Sequence, residues 1–318
     1  MLAGRYVVRA RIGAGGMGVV FLAEQPALGR TVAIKVLHPA LASDPSFARR
    51  FRDEARAASR VRHAGSVAIL DCDVTDDGTP FIAMEHVAGR PLGKLLDEQE
   101  LSLPRVLSIA DQILRALEAV HARGVIHADV KSDNFLIDER LDGDAVTLID
   151  FGLAMLDGLW VSTGFVSGTP EYLAPELIRG GPPTIASDLY GAGVILYEML
   201  TGAAPFTGNS SGEVLSQQLQ DEVIAPSLRQ PERGIPPMLD AIVLRALEKD
   251  PQRRFASAGE LAAALRAAGA LCEAPAIPRY YTVELTRSSA DAPTRNCGSP
   301  RRPGALTGLS RRVYRRAP

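Results

Sequence analysis

Residues 127–134, HADVKSDN, bring an imidazole, two carboxylates, an ammonium and a carboxamide into eight positions. That set is rich enough for general-base and metal chemistry. A carboxylate such as Asp129 can accept a hydroxyl proton, while the oxygens of Asn134 and of Asp150, in the run LIDFG, suit a hard cation such as Mg²⁺. A third component is Lys35 in VAIK, set between Ile34 and Val36. An apolar setting favours a lysine that has a partner, and Glu54 in the segment that follows is a candidate to aim the ammonium at phosphates. Each piece alone has a plainer reading, as a polar turn or a solvated strand lysine.

Residues 13–20, GAGGMGVV, have the form G-x-G-x-x-G-x-V. A dinucleotide fingerprint runs strand, glycines, helix. Here the glycines lead into Val19, Val20, Phe21 and Leu22, which are strand-like, so the loop is predicted to be a hairpin between two strands. A glycine-rich hairpin can close its N–H groups over phosphates because no side chains stand in the way. The Walker pattern fails, since no Lys-Ser/Thr pair follows the glycines.

The elements that must position these groups follow from periodicity. Strands are predicted over YVVRARIG, GVVFLAE and TVAIKVL within residues 6–37, then a helix over 45–62, then strands at 67–74 and 79–87. From residue 102 helices dominate. Ile109, Ile113, Leu117 and Val120 form one helical face, ended by Gly124. Residues 187–202 are apolar nearly all round, as in a helix at the centre of a lobe. The segment 257–269 opens with Ser257 and Glu260, a capping-box pair, and ends on Gly269. The expected organisation is a small sheet-plus-one-helix lobe over 1–87, a mainly helical lobe over 88–272, and a basic Pro/Arg-rich disordered tail over 273–318.

Composition limits the alternatives. The net charge is −2, but residues 273–318 hold nine Arg and three acids, +6, which leaves −8 for residues 1–272. A nucleic-acid footprint over an acidic folded part is not expected. Cys72, Cys272 and Cys297 offer neither a disulfide framework nor a zinc site. No apolar run approaches the ~20 residues of a membrane span, so a soluble, cytoplasmic protein is expected. The chain holds only four lysines among its 35 basic residues, Lys35, Lys94, Lys131 and Lys249, and two of these fall in the chemical motifs. A lysine kept where arginine is so preferred points to a need for a compact ammonium.

Taken in order, GxGxxGxV, VAIK, H-x-D-x-K-x-x-N, DFG and APE (Ala174, Pro175, Glu176) resemble the signature of protein kinases, over roughly residues 5–270. The chain is similar to bacterial eukaryotic-like (Hanks-type) serine/threonine protein kinases. The resemblance implies an α+β bilobal fold with a small antiparallel sheet lobe and a mainly α-helical lobe, and ATP and Mg²⁺ as cofactors. Gly13, Ala14, Gly15, Gly16, Met17, Gly18, Val19 and Val20 would form the lid over ATP, with Ile12 and Val20 against the adenine. Ala33, Met84 as gatekeeper, Glu85 to Val87 as hinge and Leu136 as floor would complete the pocket. Lys35, held by Glu54, would contact the α and β phosphates. Asp129 would be the base, Lys131 would steady the transferring phosphate, and Asn134 and Asp150 would hold magnesium. Thr169, which in this branch bonds the base and that lysine, and Lys131 itself imply Ser/Thr hydroxyls of proteins as acceptors, including the kinase's own. Glu176 with Arg254 match the family's buried ion pair, and Asp188 would cap the backbone of the catalytic loop.

One position departs from the pattern. Most of these kinases carry Arg before the base, paired with a phosphate on the activation loop, and here the residue is Ala128. A charge-assisted hydrogen bond contributes roughly 1.5–3 kcal/mol, so the loss removes about ten- to a hundred-fold of phosphate-dependent ordering over residues 153–173. Ser162, Thr163 and Ser167 remain as acceptors, and activity is expected to depend little on them. The rival readings are a pseudokinase scaffold, which typically loses the lysine, the base or the metal Asp, and a small-molecule kinase, which need not carry a peptide loop like GTPEYLAPE. The partner of the basic tail is left open.

Overall fold

The computed structural model describes residues 1–15, 18–151, 155–156 and 169–273; the side chains of residues 45, 46, 50, 54, 155, 156, 272 and 273 lie outside it. The expected disordered tail, the loop acceptors Ser162, Thr163 and Ser167, Cys297, and the Gly16 and Met17 lid positions fall outside the described residues.

The N-terminal part is an antiparallel sheet in the order β1-β2-β3-β5-β4. Its strands are β1 (Val7–Ala14), β2 (Gly18–Gln25), β3 (Arg30–Leu37), β4 (Ile69–Val74) and β5 (Pro80–Glu85). Two helices cross it, α1 (Pro39–Ala42) and α2 (Pro45–Ser59). The short α1 was not anticipated, and α2 ends three residues before the predicted limit. Tyr6, expected to open the first strand, instead lies before it, buried, with its hydroxyl 2.9 Å from Asp71 Oδ2.

The sheet and the helical part meet through the segment before β4, where Val67 N–H donates to Leu148 O and Leu148 N–H to Gly65 O, both at 2.9 Å. A three-stranded sheet follows, of β6 (Arg90–Pro91), β8 (Phe135–Arg140) and β9 (Gly143–Leu148), and a two-stranded pair joins β7 (Val125–Ile126) to β10 (Met155–Leu156). The helices are α3 (Leu92–Glu98), α4 (Leu103–His121), α5 (Pro175–Ile178), α6 (Ile185–Thr201), α7 (Ser211–Gln220), α8 (Pro226–Arg229), α9 (Pro237–Ala246) and α10 (Ala258–Glu273).

At the centre stands α6, buried over almost its whole length, as its all-round apolar sequence requires. Thr184 and Ser187 cap it reciprocally, Ser187 N–H donating to Thr184 Oγ1 and Thr184 N–H to Ser187 Oγ. Gly191 lets the catalytic segment lie on this helix, for a Cβ there would stand 2.7 Å from the Val130 carbonyl oxygen. The capping box expected at Ser257 is only half formed. Ser257 Oγ accepts from Glu260 N–H at 3.1 Å, but the Glu260 carboxylate accepts from Ala256 N–H and from Arg245 rather than reaching back to Ser257. Nor does α10 stop at Gly269: it continues to Glu273, with Gly269 close against Leu107.

Candidate active site

The glycine motif forms a hairpin. β1 and β2 pair antiparallel with Gly13 opposite Val20. Gly15 N–H donates to Gly18 O at 2.9 Å and Gly18 N–H to Gly15 O at 3.3 Å, closing the turn. Gly18 is required by packing, because a Cβ would fall 2.2 Å from Val36 O. Register then sets the floor beneath the hairpin: Val20 lies opposite Lys35 on β3, and Ala33 opposite Met84 on β5. Ala33 and Met84 are buried, and Val20 and Val87 pack on the same core. Ile12 is half exposed on the sheet surface and Leu136 is partly buried on β8. Glu85 is exposed, its N–H held by Ala68 O.

Lys35 is only 6% exposed, and its Nζ stands 2.7 Å from Asp150 Oδ1. The lysine of VAIK and the aspartate of LIDFG, 115 residues apart in sequence, therefore meet across the two parts of the fold. Glu54 lies on α2, the helix over that strand, and its side chain is outside the described residues.

On the other side of Asp150 is the 127–134 segment, with each polar group assigned by its partners. His127 is fully buried; its Nε2 lies 2.5 Å from Asp150 O, an acceptor, so Nε2 carries the proton and Nδ1 accepts from Asp129 N–H at 3.2 Å. Asp129 Oδ2 receives Lys131 Nζ at 2.8 Å and Asn134 Nδ2 at 3.2 Å, which leaves Oδ1 for an incoming hydroxyl. Because the Asn134 amide nitrogen is spent on Asp129, its carboxamide oxygen is the end available to a cation.

Asp188, near the start of α6, holds this segment from beneath. Its two oxygens accept from His127 N–H at 2.9 Å and Ala128 N–H at 2.8 Å, and Oδ2 also meets His121 Nε2 at 2.8 Å. Ala128 has φ +63°, the left-handed region, which costs a non-glycine residue about 1–2 kcal/mol. The two backbone N–H bonds accepted by Asp188 help offset that cost. His121 was not singled out from sequence; its signal is a histidine in the last turn of the helix leading into the loop.

Thr169 lines one small cavity with Ala128, Asp129, Val130, Tyr172 and Ser187. Among the described residues its hydroxyl makes no hydrogen bond to Asp129 or Lys131, which are already paired with each other. The next turn is tied to the loop by another residue, since the Tyr172 hydroxyl lies 2.8 Å from Ser132 Oγ and donates to Glu198 at 2.7 Å. Burial raises the Glu198 carboxyl above its ordinary value, with the Tyr172 bond opposing. Ser132, Tyr172 and Glu198 carry no sequence pattern that marks them, since the fold alone brings them together. Glu176 and Arg254 form a bidentate pair at 2.7 and 2.8 Å, with Arg254 fully enclosed.

With this geometry in view, comparison with known proteins is decisive. Residues 6–265 match the model of the protein kinase domain. The chain belongs to the protein kinase family. Its relatives place it in the bacterial Hanks-type serine/threonine branch. It is 43% identical over 274 residues to the serine/threonine-protein kinase pkn3 of Myxococcus xanthus, covering 84% of this chain and 50% of that one. To the serine/threonine-protein kinase PknL of Mycobacterium tuberculosis it is 39% identical over 293 residues, covering 91% and 71%. The crystal structure of the Mycobacterium tuberculosis PknI kinase domain superposes with a TM-score of 0.65 at 30% identity, over 84% of this chain and 96% of that one. The chain spans about half the length of several curated relatives, 50% of pkn3 and 47% of PksC from Streptomyces coelicolor.

Proposed function

We propose that this chain transfers the γ-phosphate of ATP to serine and threonine hydroxyls of proteins, its own included. The observation that carries the reading is Asp129: one carboxylate oxygen is saturated by Lys131 and Asn134 while the other is left to take a proton. In this reading Oδ1 accepts the hydroxyl proton as the oxygen attacks, and Lys131 stays beside the transferred phosphate to offset its charge. Lys35 and the lid hairpin bind and orient the phosphates, and Ala33, Met84, Val20 and Leu136 hold the adenine. Residues 1–87 make the lobe that carries Lys35, residues 88–272 the lobe that carries the base, and 273–318 a basic Pro/Arg-rich tail outside both. Since ATP is the donor, we place the reaction in the cytoplasm.

The donor set suits magnesium. Asp150 and Asn134 offer a carboxylate and a carboxamide oxygen, hard ligands without sulfur or imidazole. Among the described residues no three His, Cys, Asp or Glu side chains form a group able to hold a metal, so these two would share the ion with phosphate oxygens and water. When bound, the ion supplies positive charge that neutralises the phosphates.

The scaffold alternative finds no support, because Lys35, Asp129, Asn134 and Asp150 are all retained and the relatives are named as kinases. The test is Asp129→Asn. Transfer to protein should fall about 10²–10⁴-fold while nucleotide affinity stays unchanged. A variant that phosphorylates as fast as the parent chain would remove Asp129 from the chemistry.

A further inference from the structure

Gln218 is a polar side chain with no exposure at all, on the inner face of α7. Its Nε2 donates to the carbonyl oxygens of Glu171 at 2.6 Å and Pro170 at 3.3 Å. Carbonyls only accept, so the NH₂ end must face them and the amide oxygen must face away, where it accepts from the Tyr190 hydroxyl. Tyr190 is fixed in turn by the Arg254 guanidinium, 4.8 Å above its ring. Lys249 Nζ, at 2.8 Å from the Gln218 carbonyl oxygen, pins the end of α7 itself. The side-chain amide thus has three partners, Glu171 O, Pro170 O and the Tyr190 hydroxyl, and ties two peptide carbonyls of the 170–172 turn to α7.

That turn adjoins the base. Thr169 and Leu173, on its two sides, line the cavity shared with Asp129. Tyr172, at its end, meets the catalytic segment at Ser132. Among the described residues the Glu171 carbonyl has Gln218 as its one hydrogen-bond partner. Among the described residues, none of the contacts given above for Gln218, Tyr190 and Lys249 is made to the glycine hairpin, Lys35 or Asp150.

We propose that Gln218 is a positioning residue for the protein acceptor: by fixing the 170–172 turn against the catalytic segment it sets how tightly a protein substrate is held, and it leaves the nucleotide side alone. The inference rests on the kinase reading above and specifies one part of it.

The test uses the full chain with ATP and myelin basic protein as acceptor, comparing Gln218→Glu, Gln218→Met and Tyr190→Phe with the parent. Glutamate keeps the shape but cannot donate and repels both carbonyls, so the acceptor KM should rise about tenfold or more. Methionine removes the donor without repulsion and should raise it about threefold to tenfold; Tyr190→Phe, which only frees the amide to turn, about twofold. The KM for ATP and ATP hydrolysis without acceptor should stay within about twofold in all three. If Gln218→Glu does not fold, the methionine and phenylalanine variants carry the test. An unchanged acceptor KM, or an ATP KM and hydrolysis rate that shift as much as the acceptor KM, would overturn the proposal. A parent chain that labels neither itself nor the acceptor would instead overturn the kinase reading, and the role of Gln218 with it.

Discussion

The buried pair beneath the 169–176 segment allows a quantitative prediction. Arg254 reaches five acceptors: both carboxylate oxygens of Glu176, the carbonyls of Ala186 and Glu248 at 2.8 Å, and that of Lys249 at 3.4 Å. Its side chain is 0% exposed, against 17% for Glu176. Removing one member of such a pair typically costs 3–5 kcal/mol, because the other charge is left desolvated without compensation. Arg254→Met should fall at the top of that range, since it strands both a carboxylate and three carbonyls. Glu176→Gln should cost less, about 1–3 kcal/mol, because Arg254 keeps its carbonyl acceptors and the new amide still offers an oxygen. For a domain of this size the arginine change corresponds to a melting temperature lower by roughly 10–20 °C. Urea unfolding of the two single variants and the double variant gives the coupling directly. If Arg254→Met costs under about 1 kcal/mol, or costs less than Glu176→Gln, the pair does not act as a desolvated anchor and the reasoning fails.

Four further outcomes are expected. Burial lowers the Lys249 ammonium from 10.5 to about 8. Between those values the unfolded chain binds the extra proton, so stability rises with pH there, and Lys249→Met should lose that rise; urea midpoints of variant and parent that run parallel from about pH 7.5 to 10 would contradict it. Gly18→Ala forces a methyl into Val36 O and should cost about 1–3 kcal/mol with weaker nucleotide binding, measured by unfolding and by titration with a fluorescent nucleotide. Ala128→Arg should bring in a dependence on loop phosphorylation of about ten- to a hundred-fold, seen by comparing phosphatase-treated and untreated protein. In the natural sequence, replacing Ser162, Thr163 and Ser167 together by alanine should leave most activity in place, and a complete loss in a folded protein would sink that idea.

Much of the site could be read from sequence because its chemistry sits in short local motifs. The hairpin over 13–20 was legible since the β-branched and aromatic run after the glycines favours a strand over a helix. The 127–134 segment was legible from its density of functional groups. What escaped was of two kinds. Helices α3 and α7 are short, and no strong apolar stripe separates them from loop. The capping of α10 was misjudged because Glu260 has a competing partner, Arg245, that is distant in sequence.

By itself, then, the sequence determined the inventory: which groups act, the order in which they occur, the hairpin that covers them, and the missing arginine at Ala128. Tertiary structure decided which group faces which. It joined Lys35 to Asp150, spent one oxygen of Asp129 on Lys131 and Asn134, and turned Asp188 under the backbone of His127 and Ala128. It also placed Gln218 beneath the turn at 170–172. Hydrogen bonds are directional and short-ranged, so partners remote in sequence are set only once helices and strands have packed.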